Sequence, residues 1–185
     1  MQTLGISNSE VRTESRLKSL FWPSIENAYD VDYLGAQGYW VCTIVGILSA
    51  AILLLAGHPI LAVFVLSVYY FGGVGVREHS LYAAAFVFFS YVADTFVTFS
   101  LVRIFIAAVL LSNFRATWIA ARWKPESPDA AMPPRLSATW MDHFVDTVPQ
   151  TIWPKVRIFF YIISGIYGVL AVVGLAVLGT RYKVR

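Results

Sequence analysis

Apolar residues in this chain are gathered into long blocks with short polar breaks between them, unlike the stripes that mark the half-buried elements of a soluble core. Residues 40–56 (WVCTIVGILSAAILLLA) form the first block and 60–76 the second, parted by Gly57-His58-Pro59. Glycine closes helices and proline suits the first turn of the next, so the two blocks are predicted to form an antiparallel helical hairpin. Arg77-Glu78-His79-Ser80 ends the second block. The stretch 81–121 then runs without a proline or a glycine. As one helix it would be about 60 Å long at 1.5 Å per residue, roughly twice the hydrocarbon thickness of a bilayer. It is therefore expected to double back near Thr98-Phe99-Ser100, giving helices 81–98 and 101–121. A last block, 156–178, ends at Gly179 and a basic tail.

This pattern predicts an all-α integral membrane protein, a compact bundle of about five transmembrane helices, with four as the alternative. Charge counting favours five. Five crossings put ten of the 14 lysines and arginines on the side of the N-terminus and four on the other. Four crossings divide them almost evenly and leave Arg103 inside the membrane. The positive-inside rule prefers the asymmetric count and makes the N-terminal side cytoplasmic, in a membrane of the bacterial inner-membrane type.

Two amphipathic segments flank the blocks. Phe21, Ile25, Tyr29 and Tyr33 recur every four residues opposite Glu26, Asp30 and Asp32, with Pro23 in the first turn. The expectation is an interfacial helix within a cytoplasmic arm, 1–37, ahead of a four-helix membrane region, 38–121. Residues 122–155 read as a cytoplasmic loop: a proline-rich linker, then an amphipathic helix carrying Trp140, Met141, Phe144, Val145 and Val148 and ended by Pro149. Trp153-Pro154 leads into the final helix and tail, 156–185.

Composition agrees. The chain is 58% hydrophobic and 14% charged, against about 25% charged in a typical soluble domain. The net charge of +3 does not point to nucleic acid, because the basic residues sit at block edges, where lipid headgroups account for them. The first two dozen residues lack the apolar core and small-residue site of a cleavable signal, so the first span is expected to insert the chain. The single cysteine, Cys42, reads as a small buried hydrophobe. Tyr39, Trp40, Tyr69, Tyr70, Trp118, Trp123, Trp153 and Tyr182 fall at block boundaries and read as an aromatic belt.

The main anomaly is FVFFSYVADTFVTFSLVRIF, residues 86–105, an apolar run holding Asp94 and Arg103. Doubling back places both near a helix end, where the turn can bring them together. Ser90, Asp94 and Thr98 share one helical stripe that should face protein or water. Two roles are open: a structural polar pair with Arg103, or a carboxylate that binds a cation or lines a path. Gly46 with Ala50, and Ser164 with Gly168, are small-xxx-small pairs suited to close helix packing. Phe71-Gly72-Gly73-Val74-Gly75 is read as a place where a helix end packs closely.

No catalytic constellation stands out. The three histidines fall in different loops, and no nucleophile elbow, Walker loop or paired-cysteine motif is present. Asp142, His143 and Asp146 fit no standard metal site and read as a solvated face. No catalytic, cofactor or metal site is assigned. The expected role is a non-catalytic structural, accessory or assembly subunit of a membrane complex, with the bilayer and other subunits or copies of itself as partners. The alternative is a small homo-oligomeric channel or transporter that uses Asp94.

Overall fold

The computed structural model describes residues 21–25, 28–97, 100–122 and 140–183. These residues form five helices and no strand: α1 (Ala28–Leu55), α2 (Pro59–Arg77), α3 (Leu81–Val97), α4 (Leu101–Arg122) and α5 (Trp140–Lys183). All but α3 are long and apolar enough to cross a membrane. At 17 residues, α3 is the shortest, roughly 25 Å at 1.5 Å per residue. The doubling back is present: α3 and α4 pack side by side as separate helices.

The first two turns close by the same device. Leu53 and Leu54 carbonyls accept the His58 and Gly57 amides at 2.9 and 3.0 Å, with Gly57 at φ +80°. Gly75 and Val76 carbonyls accept the Ser80 and His79 amides at 2.8 and 3.1 Å, with His79 at φ +55°. Both are Schellman closures, which satisfy the last carbonyls of a helix by one left-handed residue. Pro59 then starts α2, and the Ser80 hydroxyl accepts the Ala83 amide at 3.4 Å to start α3.

Helix α2 is the hub. It packs on α1, α3 and α5, and it contributes to all three apolar core clusters. In a bilayer the lipid tails are as apolar as leucine, so packing two helices gains little hydrophobic free energy; close contact and polar pairs must hold the bundle. The Gly72–Gly75 stretch supplies the close contact. A Cβ on Gly75 would sit 2.5 Å from the Ala83 Cβ and 2.6 Å from the Trp153 ring; one on Gly72 would sit 2.5 Å from Val87. The stretch remains helical throughout and serves as a packing face.

Two expectations change. Helix α1 begins at Ala28 and runs without a break to Leu55. The segment read as one interfacial helix divides: residues 22–25, Pro23 among them, are not helical, while the part from Ala28 on is continuous with the first span, where Val31, Leu34 and Tyr39 are buried in the bundle. Likewise α5 passes through Pro149 and Pro154 as one helix of 44 residues. A proline removes one helical hydrogen bond and strains the turn before it. Contacts around both prolines offset that strain: Val145 packs with Tyr39 and Val74, Pro149 is buried, and Trp153 fits against Gly75. The proline-rich linker lies outside the described residues, as do residues 1–20.

Candidate functional site

Two polar clusters stand inside this apolar frame, one where the middle of α2 meets the last turns of α3 and the other at the end of α2. The first surrounds Asp94. Its carboxylate accepts the Tyr69 hydroxyl of α2 at 3.3 Å and the Tyr167 hydroxyl of α5 at 3.1 and 3.3 Å to its two oxygens. Tyr167 is itself held between Phe64 of α2 and Phe86 of α3, at ring separations of 6.3 and 5.9 Å. Arg103 Nη1 donates to the Asp94 backbone carbonyl at 3.1 Å. The turn does bring Arg103 to Asp94, but through the main chain, while the tyrosines take the carboxylate. Ser90 lies one turn back on the same groove wall. Thr98 lies outside the described residues.

Neither tyrosine was legible as a partner. Tyr69 reads as a belt residue from its place near a block boundary, yet it is only 2% exposed, and Tyr39, read the same way, is 0% exposed. Tyr69 belongs to the core because α2 is surrounded on several sides, and Tyr39 of α1 because it packs with Val74 of α2 and Val145 of α5. Tyr167 lies in the middle of the last apolar block, with no periodic signal to single it out.

The packing residues divide. Gly46 lies against α2, where a Cβ would stand 3.1 Å from the Tyr69 Cβ, and Ala50 is buried. The Ser164 hydroxyl donates to the Tyr161 carbonyl at 3.0 Å and accepts from the Tyr82 hydroxyl at 2.8 Å, tying α5 to α3. Gly168 has open space beside it, with nothing within 4 Å of an added Cβ.

The second cluster centres on Arg77, which sequence reasoning treats only as a loop charge. Its side chain is 2% exposed. Its guanidinium forks onto Asp32, with Nη1–Oδ1 at 2.6 Å and Nη2–Oδ2 at 3.1 Å, and Nη1 also reaches the Asp32 carbonyl at 3.0 Å. Nη2 donates to Asp146 as well. Asp146 is 14% exposed, so it is a partly buried ion-pair partner and not part of a solvated face. The planar guanidinium suits this work, since one fork can serve two carboxylates with fixed geometry. His79 Nε2 stands 3.9 Å from Asp32. The side chains of Asp142 and His143 lie outside the described residues; among those described, no group of three acidic, histidine or cysteine side chains is placed to hold a metal.

The Arg77 cluster clamps three helices by charge. The Asp94 cluster is different: a single carboxylate, loosely surrounded by hydroxyls, facing a groove. Charge-assisted O–H···O⁻ bonds are typically about 2.5–2.7 Å, shorter than those on Asp94. Compared with known protein families, curated proteins and solved structures, the chain matches none.

Proposed function

We propose that this chain is a non-catalytic accessory or assembly subunit of a larger membrane complex, docking through one face of α5 onto a transmembrane helix of another subunit. The observation that carries the reading is the poor burial of α5. Only 17% of its most apolar stretch is buried, against 44% for α2. Gly165 has nothing within 4 Å of an added Cβ, and Ile166, Val169 and Leu170 beside it are exposed. An exposed glycine flanked by branched side chains is the surface onto which a second helix packs closely. By the positive-inside argument the N-terminus is cytoplasmic, in a bacterial-type inner membrane.

The test is capture of the intact complex in mild detergent with wild-type and Gly165→Leu protein. The new side chain meets nothing within the chain, so the fold should be retained while the copurifying subunit is lost. A defined partner that stays bound to Gly165→Leu would refute this docking face.

A second reading, a small homo-oligomeric channel or transporter, is favoured by one observation: Asp94 lies between Tyr69 and Tyr167 inside the bundle. Ionisable groups at such depth often serve ion or substrate paths. It requires flux in proteoliposomes that falls in Asp94→Asn, from protein that purifies as an assembly of identical chains.

A further inference from the structure

We infer that the outer face of α4, at its C-terminal end, is a binding site for an anionic phospholipid, with the phosphate at Arg122 and an acyl chain along Trp118, Phe114 and Phe89. The inference rests on the helices spanning a bilayer and is independent of the docking face on α5.

The first observation is placement. Arg115, Trp118 and Arg122 are spaced i, i+3 and i+7, so they share one stripe of α4. The buried residues of the helix, Asn113, Ala116 and Thr117 among them, gather on its other side. Trp118 and Arg122 are exposed. The 22 residues of α4 make a helix of about 33 Å, close to the roughly 30 Å of hydrocarbon in a bilayer. The last turn therefore stands at headgroup level, where tryptophan is favoured. Phe114 lies about 12 Å deeper, among acyl chains.

The second is the state of the guanidinium. Arg122 Cζ stands 4.4 Å over the Trp118 ring. The stack takes the flat face of the group and leaves its N–H edge; among the described residues, no hydrogen bond or ion pair uses that edge. Arg115 makes the contrast. It too is stacked, 4.5 Å over Trp22, but its Nη1 donates to the Pro23 carbonyl at 3.0 Å. A guanidinium edge matches the paired oxygens of a phosphate. The stack also draws Arg122 back toward the preceding turn, away from the last carbonyls of the helix.

The third is the wall below the charge. Trp118 meets Phe114 at 5.9 Å, and Phe114 meets Phe88 and Phe89 of α3 at 5.9 and 6.0 Å. Phe89 is exposed, so this ladder of rings opens toward lipid. Rings held against one another give an acyl chain a fixed surface that ends at a fixed cation.

The fourth is sign. Phosphatidylcholine and phosphatidylethanolamine carry an ammonium beside the phosphate, and that charge would face Arg122 with Arg115 two turns below. Phosphatidylglycerol carries none.

The experiment uses the full chain, purified in neutral detergent and depleted of lipid. It is titrated with phosphatidylglycerol and phosphatidylcholine bearing the same brominated chains, which quench tryptophan on contact. Phosphatidylglycerol should bind about tenfold more tightly, the worth of one charge-assisted hydrogen bond. Arg122→Gln should reduce it to the phosphatidylcholine level with the melting temperature unchanged, because the residue is exposed at the helix end. Arg122→Lys should fall between, since an ammonium keeps the charge and loses the fork. Trp118→Phe should lose most of the quenching while native mass spectrometry still counts the bound lipid. Glycerol phosphate at matched concentration should displace nothing.

Equal affinity for the two lipids overturns the proposal, as does full phosphatidylglycerol preference in folded Arg122→Gln. Undiminished quenching in Trp118→Phe would put the lipid elsewhere and overturn it too. Displacement by glycerol phosphate would make the ligand a soluble phosphate and defeat the lipid assignment. Loss of partner capture in Gly165→Leu bears only on the docking reading, so the two ideas fail independently.

Discussion

Arg77 and Asp32, 45 positions apart in the chain, meet as a two-pronged ion pair with Nη1–Oδ1 at 2.6 Å, and Asp146 of α5 closes on the same guanidinium. The charge sits at the end of α2, the helix on which the others pack, and it joins the starts of α1 and α5 to that end. Removing one member of a buried ion pair leaves its partner uncompensated.

Arg77→Met should therefore destabilise the protein by about 3–5 kcal/mol, read as denaturant midpoint in detergent. Arg77→Lys should be intermediate, because an ammonium lacks the two-pronged geometry. Asp146→Asn should cost less than Arg77→Met, since the Asp32 fork remains. If Arg77→Met left stability unchanged, the cluster would not be the clamp described here.

The path of the chain can be checked by labelling. In a Cys42→Ala background, His58→Cys and Ser100→Cys should react with an impermeant thiol reagent from one face of the membrane. Glu78→Cys and Trp140→Cys should react from the other. Labelling of positions 78 and 100 from the same face would contradict the α3–α4 hairpin.

Tight packing at α2 makes a sharp contrast with α5. An alanine at Gly75 puts a methyl 2.5 Å from the Ala83 Cβ, and such overpacking usually costs about 1–3 kcal/mol. Gly165→Ala meets no neighbour and should be neutral or slightly stabilising through helix propensity. Thermal unfolding of the two variants side by side decides the matter; equal melting temperatures would remove the argument for α2 as the close-packed hub.

Gly57 closes α1 at φ +80°. A side chain in that conformation costs roughly 1–2 kcal/mol, so Gly57→Ala should lower the melting temperature although open space surrounds the site. Gly57→Asn should recover part of the loss, because asparagine tolerates the left-handed region. No change in Gly57→Ala would mean that the turn relaxes to another closure.

Much of the architecture was legible because it depends on one local quantity, the length of apolar chain against the thickness of a bilayer. That ratio required residues 81–121 to turn back, even without a glycine or proline to mark the place. The Gly57-His58-Pro59 break and the Arg77–Ser80 break were equally readable from turn chemistry. The ends of α1 and α5 were not. A polar run at 28–38 and two prolines at 149 and 154 look like boundaries locally, and only their contacts with α2 keep those segments helical.

The candidate sites divide in the same way. Composition and spacing along the chain singled out Asp94 and Arg103, since a charge in a greasy run is visible by itself. Their partners were decided by tertiary structure. Which hydroxyls reach Asp94, and which carboxylates reach Arg77, depends on how helices distant in sequence are rotated about their axes. Hydrophobicity along a nearly all-apolar helix carries little record of that rotation. Close approach at a few small residues, and the pairing of buried charge, set it in three dimensions.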